Sequence, residues 1–168
     1  LDILHKQAVV NKGLKLVLVY EEENGSLSTT EFYYENGISD YISELAGDTA
    51  MTAPVLWHLE TQGRDRADKD EYKLKAEIAF ACTKTTNTTE YYHNSSFLEY
   101  GGSPDKAVRS SFVAAFDKYL RETNKYNKNE AKVTFQDIQD SLVLVTNCFS
   151  TIGCFSNQTK KAVNSKFT

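Results

Sequence analysis

The 168-residue sequence predicts a single α+β domain, residues 1–168, in which a long helix covers one face of a mostly antiparallel sheet. Three observations carry that prediction. From Tyr72 to Phe80, Tyr72, Leu74, Ala76, Ile78 and Phe80 alternate with Lys73, Lys75, Glu77 and Ala79, the period of two that makes a half-buried strand. After Gly101-Gly102-Ser103-Pro104 the spacing changes. Val108, Phe112, Ala115, Phe116, Tyr119 and Leu120 then recur at helical intervals for about five turns. Apolar residues make up 40% of the chain and charged residues 25%, enough for a core, and no repeat or linker interrupts them.

The remaining elements follow in order. Leu14, Leu16, Leu18 and Tyr20 alternate with Lys15, Val17 and Val19, and Asn24-Gly25 supplies the positive-φ pair of a tight hairpin. Thr29 to Tyr34, β-branched and aromatic, is the returning strand. Ile38, Tyr41, Ile42 and Leu45 have helical spacing with Gly47 as the stop. Val55 to Leu59 reads as a short strand and Gln62 to Asp70 as an exposed polar loop. Thr83 to Thr89 reads as a turn that brings Glu90 to Phe97 back beside the Tyr72 strand as a meander. Ser103 is the expected N-cap of the long helix and Pro104 its first residue. A short helix over Phe135 to Asp140, a buried strand over Leu142 to Val145 and a loop from Ser150 complete the pattern. A further helix is expected to start after Lys160.

Composition narrows the function. With 19 basic and 23 acidic residues the net charge is −4, which speaks against strong autonomous binding of nucleic acid. Two stretches depart from the average. Residues 103–133 hold seven bases (Lys106, Arg109, Lys118, Arg121, Lys125, Lys128, Lys132) against four acids, and the tail carries Lys160, Lys161 and Lys166 with no acid. Cys82, Cys148 and Cys154 cannot all pair and form no Cys-x-x-Cys, which reads as reduced thiols of a cytoplasmic protein. The four Asn-x-Ser/Thr sequons, at Asn24, Asn87, Asn94 and Asn157, read as turns. The longest uncharged apolar run is Leu16 to Tyr20, so no membrane association is expected. A chain that opens on Leu1 reads as a piece of a longer protein.

The catalytic signatures are mostly negative. His5, His58 and His93 are far apart and form no metal-ligating pattern. No Gly-x-Ser-x-Gly elbow is present. Gly101-Gly102 is neither a Walker A loop nor a dinucleotide fingerprint, and its glycines are expected to turn the chain sharply into the helix. What remains is Ser156-Asn157-Gln158-Thr159-Lys160-Lys161, with Gly153 upstream as a pivot. A lysine on such a loop delivers a flexible point charge to a phosphate, and the plainer alternative is a solvated tail.

The order of these motifs resembles the transducer domain of the type IIA DNA topoisomerases, found in the B subunits of gyrase and topoisomerase IV, almost end to end. Four segments carry the likeness: Phe32-Tyr33-Tyr34-Glu35-Asn36-Gly37-Ile38; Glu99-Tyr100-Gly101-Gly102-Ser103 with Val108-Arg109-Ser110-Ser111-Phe112; Gln136 to Leu142; and Phe155 with Gln158-Thr159-Lys160. The resemblance implies the fold of the second domain of ribosomal protein S5, with a left-handed βαβ crossover. It implies a place between an ATPase domain upstream and a cleavage module downstream. In that setting Gln158 and Lys160 bind ATP held by the upstream domain, and Lys160 acts as a catalytic charge on the γ-phosphate. Arg109 faces the DNA cavity. No metal is bound by this chain, and Mg2+ accompanies ATP outside it. The implied partners are the topoisomerase A subunit, double-stranded DNA and a second copy of the B subunit. The implied activity, ATP-driven isomerisation of DNA, belongs to the full-length protein, the chain alone being inactive.

The sequence departs from the family pattern at Ser103-Pro104-Asp105-Lys106, where Thr-His-Leu is usual, at Ser141, which replaces a common Gly, and at Asn157. An added Asp105 puts DNA contact near the helix start in question. The competing reading is a stand-alone interaction module of the same fold with no link to ATP.

Overall fold

The computed structural model describes residues 1–152, 155–156 and 158–165. Helix α1 (Asp2–Val10) leads into a separate two-stranded hairpin, β1 (Leu16–Glu21) and β2 (Leu27–Phe32), followed by α2 (Ile38–Ala46). The main sheet is built from β3 (Val55–Gly63), β4 (Tyr72–Cys82), β5 (Thr88–His93), β6 (Ser96–Phe97) and β7 (Leu142–Ser150). Between β6 and β7 run α3 (Ser103–Glu122) and α4 (Phe135–Gln139). The sheet order is β3-β4-β7-β5-β6, antiparallel at every pairing except β5 with β7, which is parallel. The α+β class and the mostly antiparallel sheet are as expected. Among the described residues no helix is long and apolar enough to cross a membrane.

The expected meander is wrong. β5 does not lie beside β4, because β7 sits between them. The reason is burial. Leu142 to Cys148 are all buried, so this run needs cover on both faces and a neighbour on both edges, which the centre of the sheet provides. Successive β7 residues face opposite layers. Val143 and Val145 join Ala79, Ala81 and Tyr92 against Ile38, Tyr41, Ile42 and Ala46 of α2 and Val9 and Val10 of α1. Leu142 and Leu144 join Tyr91 and Leu98 against Val108 of α3 and Phe135 and Ile138 of α4.

The sheet is therefore covered on both faces, one more than expected. Helix α1 gave no clear signal in the sequence, since only its last turn, Ala8, Val9 and Val10, is buried. The long helix is anchored by its first half. Pro104 and Val108 are buried and Phe112 packs edge-on to Phe80 with ring centres 5.3 Å apart, whereas Phe116 and Tyr119 lie 40% and 58% exposed. β3 runs to Gly63, beyond the expected Leu59, because its polar residues pair with β4 as far as Tyr72.

Helix α3 is capped by Gly102, not by Ser103, which is its first residue. The physical reason lies across the chain. Gly102 forms a parallel bridge with Val163, and the Ser103 amide donates to the Val163 carbonyl at 2.7 Å. A Cβ on Gly102 would lie 2.1 Å from that carbonyl oxygen, and φ is +95°. Close backbone approach requires this glycine, in addition to the change of direction. The helix expected after Lys160 does not form in residues 161–165, where Val163 is instead bridged to both Gly102 and Phe155.

Candidate functional site

The two bridges of Val163 define the loop that carries Gln158, Thr159 and Lys160. Phe155 pairs antiparallel with Val163, and one step further out the Ser156 amide and hydroxyl both donate to the Ala162 carbonyl, at 2.9 and 3.1 Å. Gln158, Thr159 and Lys160 lie between these two paired ends. Gly153, Cys154, Asn157 and Lys166 lie outside the described residues.

Lys160 stands at φ +57°, a left-handed conformation that a lysine rarely adopts. Its side chain is exposed and its ammonium lies 5.6 Å from the centre of the Phe155 ring. Among the described residues it makes no ion pair. Its neighbour differs in kind. The Lys161 ammonium is 2.5 Å from a Glu99 carboxylate oxygen and also lies over the Tyr100 ring. That hydrogen bond holds the Glu99 carboxyl below its ordinary range and pushes the Lys161 ammonium up. Of these two adjacent lysines, Lys160 is the one whose charge is available. Gln158 is exposed on the same loop.

Lys160 and Thr159 form one wall of a cleft of about 310 Å³, lined opposite by Lys6 and Gln7 of α1 and by the β5–β6 turn at Ser95 to Phe97. Lys6 is paired with Asp2 at 3.0 Å and sits 4.1 Å over the Phe97 ring. Nothing in the sequence connected α1 to the lysine loop, because contacts between segments so far apart leave no periodic signal. A larger apolar cleft of about 460 Å³, between β3 and α3, includes none of Gln158, Lys160 or Arg109.

The loop rests on a buried histidine. The Phe155 ring meets the His93 ring edge to face at 5.3 Å. His93 is fully buried, its Nε2 is 3.0 Å from the Ser150 hydroxyl, and burial lowers its pKa to about 4. The imidazole is therefore neutral at physiological pH.

Arg109 lies on α3, away from this loop's contacts. Its Nε donates to both oxygens of Asp105 at 2.9 Å and its guanidinium stacks over Phe135 at 4.6 Å. Much of the basic stretch is neutralised in the same way. Arg121 and Lys132 pair with Asp117, and Lys118 with Glu122. Among the described residues no three His, Cys, Asp or Glu side chains gather to hold a metal.

A two-sided α+β sheet with a basic loop clamped to the start of its long helix is the class of module defined by this geometry. The chain matches the DNA gyrase B family model over residues 37–168 and belongs to that family. It is 26% identical over 167 residues to the DNA gyrase B subunit of Metamycoplasma arthritidis, covering 99% of this chain and 26% of that protein. It is 25% identical over 142 residues to the DNA topoisomerase 4 B subunit of Streptococcus pneumoniae, covering 84% of this chain and 20% of that one. The chain thus spans about a fifth to a quarter of the length of these relatives. The fold recurs in the crystal structure of the gyrase B subunit from Myxococcus xanthus (TM-score 0.70, 14% identity, covering 98% of this chain and 43% of that chain). It recurs also in the 43K ATPase domain of Thermus thermophilus gyrase B in complex with an aminocoumarin (TM-score 0.67, 19% identity, 97% and 41%).

Proposed function

We propose that this chain is the transducer part of the B subunit of a type IIA topoisomerase, coupling ATP turnover in an upstream domain to passage of DNA. The observation that supports the reading is Lys160. It stands at the end of a closed loop, held in a strained backbone conformation, its charge unpaired among the described residues while Lys161 beside it is neutralised. Residues held in rarely populated backbone states gather at sites where geometry matters more than stability.

In this reading the Lys160 ammonium donates to an oxygen of the γ-phosphate presented by the upstream domain, and the Gln158 amide donates to another. A positioned cation stabilises the charge that develops as the phosphoryl group departs. When that partner is lost, the loop is free to move. The displacement passes along the backbone from Ser156 and Ala162 to Val163, and from Val163 to Gly102 and Ser103 at the start of α3. Mg2+ would accompany ATP outside this chain and supply Lewis-acid polarisation there. The topoisomerase A subunit, a second copy of the B subunit and double-stranded DNA are the partners, in the cytoplasm. Arg109 already has a carboxylate partner in Asp105, which offsets its charge, so its share of DNA affinity is small.

The test is steady-state ATP hydrolysis by the full-length gene product, wild type against Lys160→Ala. The expected loss is about 100- to 1000-fold in kcat, the usual result of removing one preorganised donor from a transition state. Unchanged turnover would leave Lys160 a solvated loop residue and the reading without support.

A further inference from the structure

We infer that Phe155 is a positioning residue for Lys160, its ring face setting where the ammonium stands before phosphate arrives. The inference rests on the proposed role of Lys160 and extends it to a side chain that has no donor of its own. A lysine side chain has four rotatable bonds, so an exposed one spends little time at any single point. Here the Nζ sits 5.6 Å from the Phe155 ring centre, within the reach of a cation–π attraction.

The ring is itself fixed, which is what makes it a useful reference. Its backbone is bridged to Val163, and its plane stands at 86° to the His93 imidazole, with centres 5.3 Å apart. His93 is fully buried and anchored to the Ser150 hydroxyl. Ser150 is anchored in turn, its amide donating to the Asn94 side chain at 2.9 Å and its carbonyl accepting from Asn94 Nδ2 at 3.2 Å. A line of contacts therefore runs from the end of β7 through a buried imidazole and an aromatic ring to an exposed charge. A phenyl face retains its attraction while the three ammonium protons bond elsewhere, so the contact need not break when phosphate binds.

Three variants of the full-length protein test this by ATP turnover: Phe155→Leu, Phe155→Tyr and Lys160→Ala. A cation–π contact at an exposed site contributes about 0.5–1 kcal/mol, so Phe155→Leu should lower kcat about two- to five-fold with KM for ATP unchanged. Phe155→Tyr, which keeps the ring face, should restore kcat to near wild type. Loss of turnover in Lys160→Ala with none in Phe155→Leu overturns the positioning role and leaves the lysine's own role standing. Equal losses in the Leu and Tyr variants also overturn it, since bulk and not the ring face would then matter. If Lys160→Ala is itself without effect, both readings fall.

Discussion

At the scale of single residues, two positions combine large physical consequences with little visible chemistry. His93 is neutral and buried in the folded chain, with its pKa lowered to about 4, against about 6.5 when exposed. The unfolded chain therefore binds the extra proton first. The stability this position contributes is fully present above about pH 6.5 and is lost as pH falls from there toward 4, at a slope of up to about 1.4 kcal/mol per pH unit. Thermal melts between pH 7 and 4 should show that decline, and His93→Gln should flatten this part of it. Gly102 is the second. Any side chain there meets the Val163 carbonyl and forces a positive φ on a residue with a Cβ. Gly102→Ala should cost about 2–4 kcal/mol, read by chemical denaturation. The Gly-Gly pair was conspicuous in the sequence, but only its turning role could be read there. The backbone it lies against is about sixty residues away and carries no signal in its side chain.

At the scale of elements, what could be read in advance was set by how much of each element's information is local. β4 alternates along most of its length and α2 places Ile38, Tyr41, Ile42 and Ala46 on one side, so both were legible. Helix α4 is closed at its start by Thr134 and Asp137, which form a capping box in which Asp137 accepts from both the Thr134 amide and hydroxyl. Those bonds hold the Asp137 carboxyl below its ordinary range. Thr134→Ala should cost about 1 kcal/mol in urea unfolding. The neighbour of β5 was not legible. Thr88 to His93 has the composition of a strand wherever it pairs, and the choice between β4 and β7 depends on which run needs burial on both sides. The same holds for Lys160. Its loop was found by resemblance and position, whereas the ring beneath it, the histidine beneath that and the facing α1 wall are tertiary facts. Leu144, fully buried at the centre of β7 against α3 and α4, should be among the costliest truncations, with Leu144→Ala losing about 2–5 kcal/mol in the same assay.

At the scale of the whole molecule, charge decides what the chain can do alone. Net charge is −4, and Arg109, Lys118, Arg121 and Lys132 of the basic stretch already have carboxylate partners. Phosphate contacts supply most non-specific affinity and weaken steeply with salt. This chain should therefore show no saturable binding to a short DNA duplex at about 150 mM salt, measured by fluorescence anisotropy. Saturation in the micromolar range there would mean that the carboxylate pairs open on contact.

The central place of β7 also sets a timetable for synthesis. The strand that joins β4 to β5 leaves the ribosome about sixty residues after β4 ends. At about 5–20 residues per second, the edges of β4 and β5 that face β7 wait several seconds for their partner. Through that interval the β3–β4 hairpin can exist, but the sheet cannot close and the apolar faces meant for α2 and α3 have no common floor. The sheet is thus most exposed to mispairing in the interval between synthesis of β5 and synthesis of β7, and the strand that ends the hazard also precedes the loop that carries Lys160.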